Sequence, residues 1–162
     1  MLSENSLIGV IGSGAMGSGI AQVAASAGHS VVVFDNNIQA LQKAETSLTA
    51  SLQKLVEKQK ITAEQQKNIL QRTRFVSELN QLGGSHLIIE AIVENLDVKK
   101  NLFSELEKIV DDNCVLATNT SSLSVTSIAA ACRKPGRVIG IHFFNPATIM
   151  QLVEIIPGIA TE

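Results

Sequence analysis

The chain is 162 residues long, 45% hydrophobic and 17% charged. That is one domain's length, at about 100–200 residues per domain, and the composition excludes intrinsic disorder. Aromatics are only 3%, five Phe with no Trp or Tyr, so the core must be aliphatic and a base-stacking surface is excluded. A net charge of −2 without a basic run gives nucleic acid no electrostatic footprint, and no apolar run approaches the roughly 20 residues that span a bilayer.

The segment Met1–Asn5 lacks the basic region of a signal peptide and the arginines of a transit peptide, so no leader is expected. Leu7–Ile11 is a short apolar run that reads as a buried parallel strand. A small-residue helix over Ala15–Ala27 follows, closed by Gly28. Val31–Phe34 is the next strand, which completes one βαβ unit. A long helix over Ile38–Gln59 carries an apolar stripe of Ile38, Leu41, Leu48, Leu52, Leu55 and Val56. Thr62 caps a shorter helix containing Ile69 and Leu70, and Thr73–Val76 reads as a brief strand.

Leu87–Val93 reads as an interior strand, followed by a helix over Val98–Val110 capped by Asp97. Val115–Ala117 is a strand, Ser124–Ala131 a short helix, Val138–His142 a strand, and Leu152–Ile156 the last strand. Strands alternate with helices throughout. The expected fold is α/β, a Rossmann-like, doubly wound, mostly parallel sheet with helices on both faces. Cys114 and Cys132 lack metal-type spacing and read as reduced thiols of a cytoplasmic protein.

Gly12-Ser13-Gly14-Ala15-Met16-Gly17 follows the first strand and opens the first helix. Gly12 permits the tight turn, Gly14 lets a pyrophosphate approach the backbone, and Gly17 lets the helix pack on the strand. The helix N-terminus presents N–H groups and a positive dipole end to that anion. Asp35 ends the second strand, 18 residues past Gly17. A carboxylate there accepts hydrogen bonds from ribose hydroxyls and repels a 2′-phosphate, which selects NAD over NADP.

His142 ends a strand, where ligands bind in open α/β sheets, although a satisfied core histidine has the same pattern. His29 and His86 read as structural or solvated. Glu154, twelve residues after His142 and on the next strand, can meet it across a turn. Such a pair fixes the tautomer and stabilises the imidazolium, leaving one ring nitrogen as general base for a substrate hydroxyl. Glu90 and Glu94 lie near a strand end with too few converging ligands for a metal, and none is expected.

Gly12–Ala21, Glu90–Asn95, Thr118–Leu123, His142-Phe143-Phe144-Asn145-Pro146 and Leu152-Val153-Glu154 occur in this order. Together they resemble the NAD-binding domain of L-3-hydroxyacyl-CoA dehydrogenases, including 3-hydroxybutyryl-CoA dehydrogenases, over essentially the whole chain. The resemblance implies interconversion of 3-hydroxyacyl-CoA and 3-oxoacyl-CoA with NAD. It implies His142 as base, Glu154 as its orienter and Ser121 as a contact to the substrate oxygen. For the Thr118–Leu123 block the alternative is helix capping by Ser121, Ser122 or Ser124. It places Gly12, Gly14, Ala15, Met16, Gly17, Asp35, Ala91, Glu94, Lys99 and Asn145 around the cofactor. For Lys99 and Lys100 a solvated helix face is the alternative, and for Asn145 a turn before Pro146. Ser51 and Lys58 match positions that touch coenzyme A. Lys54 and Lys58 share a helix face, and there the alternative is ordinary solubility.

Two departures stand out. Thr148 replaces a second proline that the family carries soon after the HFFNP block, so a looser loop and a less rigid His142–Glu154 pair are expected. The chain stops at Glu162, whereas the family continues into a helical domain that closes the substrate cleft, supplies an active-site Asn and forms a homodimer. The whole of 1–162 is therefore expected to be the cofactor domain, poorly active alone. Two rivals are a dinucleotide-binding module without catalysis and a dehydrogenase of small hydroxy acids using a lysine. His142 with Glu154 speaks against the first; the Thr-Ser and HFFNP blocks speak against the second.

Overall fold

The computed structural model describes residues 6–162, so the Met1–Asn5 segment, on which the absence of a leader was read, lies outside the described residues. The elements run β1 (Leu7–Ile11), α1 (Ala15–Ser26), β2 (Ser30–Phe34), α2 (Ile38–Glu57), α3 (Ala63–Arg72), β3 (Thr73–Val76) and β4 (Leu87–Glu90). Then come α4 (Leu96–Leu106), β5 (Val115–Thr118), α5 (Val125–Ala129), β6 (Val138–Phe143) and β7 (Val153–Pro157). One seven-stranded sheet has the order β3-β2-β1-β4-β5-β6-β7. All neighbours are parallel except β6 and β7, which are antiparallel. The expected doubly wound fold is the observed one. The chain changes direction of travel across the sheet between β1 and β4, and ligands of such sheets bind outside the carboxyl ends at that point.

The strands are apolar at consecutive positions because both faces are covered. Ile88 packs into the core beneath α4 and α5 with Phe103, Leu106, Leu116 and Ile128. Its neighbours Leu87 and Ile89 point the other way, into the core beneath α1 and α2 with Ile20, Ala25, Leu48 and Leu52. Residues along a strand alternate sides, so two separate cores need two interleaved apolar sets. Phe103 is fully buried, and the rest of both cores is almost wholly aliphatic, as the composition requires.

Several element boundaries differ from expectation. β4 stops at Glu90 rather than Val93, because the Glu90 carboxylate accepts the Ile92 N–H at 2.7 Å and turns the chain. Asn95, not Asp97, caps α4; its side chain accepts from the Val98 N–H at 3.1 Å, and Asp97 sits in the first turn. The helix ends at Leu106, short of Val110. Ile38 is 61% exposed and leaves the apolar stripe of α2, which is carried by Leu41, Leu48 and Leu52. Thr62 does cap α3, with Gln65 completing a reciprocal capping box. Gly28 follows α1 at φ +103°, a conformation that glycine adopts without strain.

Candidate active site

The glycine turn is built by close approach. Gly12 sits at φ +99°, and a Cβ there would lie 2.6 Å from the Ala91 carbonyl oxygen. A Cβ at Gly17 would lie 1.9 Å from the Gly12 carbonyl oxygen, so α1 reaches β1 only with glycine at that position. At Gly14 a Cβ would meet no protein atom within 4 Å. The backbone there is bare toward the space where a phosphate would lie. Gly14 is also the N-cap of α1, which has neither a side-chain cap nor an acidic first-turn residue. Its N–H groups and dipole remain available to an anion. The residues present fit a dinucleotide.

Asp35 lies beside this turn. Its Oδ2 accepts from the Ser13 N–H at 2.8 Å and the Ser13 hydroxyl at 2.7 Å, and its Oδ1 accepts from the Asn37 N–H at 3.0 Å. Partial burial pushes the carboxyl pKa up, but those three donors outweigh it and hold the group below the ordinary aspartate value. Ser13 is a member of this site that sequence reasoning missed. Its signal was a hydroxyl residue inside the glycine motif, which the motif pattern treats as free.

Two clefts open along the carboxyl edge of the sheet, and Ala91 and Ile92 line both. The larger, about 650 Å³, is bounded by Gly12, Gly14 and Asp35 and walled by apolar side chains such as Phe34 and Val98. The smaller, about 320 Å³, holds Met16, Glu94, Lys99, Ser121, His142 and Asn145. Gly14 faces one and Met16 the other, so the glycine turn lies at their junction.

His142 and Glu154 are direct register partners on the antiparallel pair β6 and β7. His142 Nδ1 lies 2.9 Å from Glu154 Oε2, and Nε2 has no partner among the described residues. The pair forms with Thr148 in the intervening loop, where the Pro146 carbonyl accepts the N–H groups of Ile149 and Met150 at 3.0 Å each. The end of β6 is tied to the neighbouring strand by Asn119, whose Oδ1 accepts the Phe143 N–H at 2.8 Å. Ser124 caps α5, accepting from the Ser127 N–H, so Ser121 keeps its hydroxyl for the cleft. His86 is structural, its Nδ1 accepting from the Leu7 N–H at 3.1 Å.

Lys99 is not on a solvated helix face. It is 1% exposed, with its Nζ 2.5 Å from Glu90 Oε1 and 3.2 Å from Glu94 Oε2. Glu90 is fully buried and also accepts from the Thr118 hydroxyl at 2.7 Å. Glu94 accepts from the hydroxyls of Thr120 and Ser122. Burial pushes the Glu94 pKa up, but the Thr120 hydroxyl and the Lys99 ammonium hold it below the ordinary glutamate value. Thr118, Thr120 and Ser122 were missed as site members. Their spacing of two, beside a strand end bearing Glu90, was the available signal.

Ser51 and Lys58 lie apart from both clefts. Both are exposed, Ser51 on α2 and Lys58 at its C-cap. Among the described residues no group of three His, Cys, Asp or Glu could hold a metal, and no helix is long and apolar enough to cross a membrane.

The family model described as 3-hydroxyacyl-CoA dehydrogenase, NAD binding domain, matches residues 7–162. The chain belongs to this family. It is an NAD-binding domain, in agreement with the glycine turn and Asp35. It is 45% identical to the 3-hydroxyadipyl-CoA dehydrogenase of Escherichia coli, covering 99% of this chain and 34% of that protein. It is 42% identical to the human mitochondrial hydroxyacyl-coenzyme A dehydrogenase, over 91% of this chain and 49% of that protein. Among solved structures, a 3-hydroxybutyryl-CoA dehydrogenase of Ralstonia eutropha superposes with a TM-score of 0.93 at 38% identity, over 97% of this chain and 56% of that one. The chain thus spans about a third to a half of the length of the dehydrogenases it matches.

Proposed function

We propose that this dehydrogenase-family domain is the cofactor half of an enzyme that interconverts L-3-hydroxyacyl-CoA and 3-oxoacyl-CoA. The observation that carries the reading is the 2.9 Å contact of His142 with Glu154, His142 lining one cleft with Ser121 and Asn145. Bound NAD supplies the hydride acceptor for such a reaction. The chain's own residues handle the proton and the oxygen. His142 Nε2 takes the proton of the substrate hydroxyl as general base. Glu154 holds Nδ1–H, fixes the tautomer and stabilises the imidazolium. The Ser121 hydroxyl donates to the substrate oxygen, and in reduction His142 returns the proton.

Gly12, Gly14, Ala15, Met16 and Gly17 would hold the pyrophosphate and Asp35 the adenosine ribose. Ala91, Glu94 and Lys99 would lie around the central and ribose portions of the cofactor, and Asn145 near its carboxamide. Ser51 and Lys58 would meet coenzyme A from the exposed side of α2. The bare apolar side chains of β7 and the loop before it, among them Ile149, Leu152 and Ile155, give a further helical domain a surface on which to close the cleft and pair two copies. Cys114 and Cys132 are buried and free, which supports a reducing compartment such as the cytoplasm.

The test is a substrate panel on the whole gene product that carries this chain. Acetoacetyl-CoA should oxidise NADH, while free acetoacetate and other free oxo acids should not. Equal rates on the free acids would overturn the reading.

A further inference from the structure

Two carboxylates, Glu90 and Glu94, share one ammonium, Lys99, and the three side chains are 0%, 38% and 1% exposed. Burying an ion pair this deeply is costly, and an apolar pair of similar volume is often no less stable. Glu90 is sealed. One of its oxygens takes Lys99 and the Ile92 N–H, and the other takes the Thr118 hydroxyl. Its charge is committed to Lys99. Glu94 lines the His142 cleft with one net negative charge left over. Its Oε1 accepts from Thr120 and Ser122, the two residues that flank Ser121.

We propose that Glu90 is a positioning residue that, by neutralising Lys99, leaves Glu94 free to hold a net negative charge in the cleft and so favours oxidised over reduced NAD there. This rests on the reading that the nicotinamide end occupies the His142 cleft. The oxidised ring carries a positive charge and the reduced ring none, so a fixed anion close to the ring in this partly exposed cleft discriminates between them. Without the Glu90 charge, Glu94 is drawn wholly to Lys99. The cleft then becomes neutral at this point, and the Thr120–Ser122 turn loses part of its anchor.

The experiment measures Kd for NAD⁺ by calorimetry and for NADH by the ligand's own fluorescence, in the whole protein. Glu90→Gln should raise the ratio of Kd(NAD⁺) to Kd(NADH) about five- to tenfold, the effect of one charge at close range in a partly buried site. The double variant Glu90→Gln with Lys99→Met restores one net negative charge. It should bring the ratio back to within about twofold of wild type, even though both affinities fall. A merely structural Glu90 would shift both Kd values by the same factor, which overturns the proposal, as does a double variant that leaves the ratio where Glu90→Gln put it. If Glu90→Gln does not fold, Glu94→Gln removes the same charge from a half-exposed position. It should raise the ratio likewise, and an unchanged ratio overturns the proposal. A wild type that binds neither form overturns the cofactor reading itself, which the equal-shift result does not.

Discussion

His142 and Glu154 face each other across β6 and β7, and the register of that antiparallel pair sets their 2.9 Å contact. A slip of one residue would turn one of the two side chains to the opposite face of the sheet. If His142 is the base, His142→Ala should lower kcat by about 10²–10⁴-fold, the usual contribution of a positioned acid–base group. NADH affinity should stay near wild type, because the side chain acts on the substrate proton. Glu154→Gln should cost less, since it spoils tautomer and charge but leaves the imidazole in place. Steady-state kinetics beside an NADH titration checks both; a His142→Ala enzyme within tenfold of wild type would remove the base from His142.

The Ser13–Asp35 contact gives a second prediction. Asp35→Ala should weaken NADH binding by about tenfold or more, as expected for losing hydrogen bonds to a charged acceptor. Ser13→Ala keeps the backbone donor and removes only the hydroxyl, so it should cost roughly two- to fivefold. Both variants should narrow the preference for NADH over NADPH, because the carboxylate that repels a 2′-phosphate is lost in one and loosened in the other. Paired titrations with NADH and NADPH decide the matter; a Ser13→Ala variant with unaltered selectivity would show that the hydroxyl does not position Asp35.

The doubly wound fold and the glycine turn were legible because each rests on local signals: apolar runs of strand length, glycines at forced approaches, and an acid just after β2. His142 and Glu154 were legible as a pair because twelve residues across one turn can bring two strand positions face to face. The Lys99 network was not. A lysine on an amphipathic helix is almost always solvated, and only tertiary contact with Glu90, nine residues back on a strand, buries it. Ser13 was hidden for the same kind of reason, since its partner lies 22 residues away, just after β2. Asn95 displaced Asp97 as the cap because β4 ends early, at the turn that Glu90 makes on itself. The bare face of Ile38 was invisible too, because helical spacing says which residues align and not where the neighbouring layer ends.

Cys114 and Cys132 should behave as inert thiols in the folded protein. Burial pushes both pKa values up to about 11, so the thiolate fraction is negligible at neutral pH. Intact-mass measurement after iodoacetamide treatment at pH 7.5 should show no addition to the native protein and two additions after denaturation. Rapid single alkylation of the native protein would contradict the buried placement.

Glu107 supports a prediction for acid stability. This carboxylate is 6% exposed and accepts the Arg133 N–H at 2.7 Å and the Lys134 N–H at 3.0 Å, with the Arg137 guanidinium at 3.3 Å. It clamps the turn that delivers β6, and with it His142, to the sheet. Burial pushes its pKa up, but the two backbone donors and Arg137 outweigh that and hold it below the ordinary glutamate value. A carboxyl with a depressed folded pKa binds protons more readily in the unfolded chain. Its stabilisation is therefore fully present above the unfolded value of about 4.3 and is lost as pH falls through the lower folded value. Glu107→Gln should cost about 1–3 kcal/mol at neutral pH, because two buried donors then share a single neutral acceptor. In a chain of this size that is roughly 3–10 °C in Tm. The difference between wild type and variant should shrink as pH falls from 5 to 3. Thermal melts across that window test it, and a constant difference would mean that the ionised form of Glu107 contributes nothing to holding the turn.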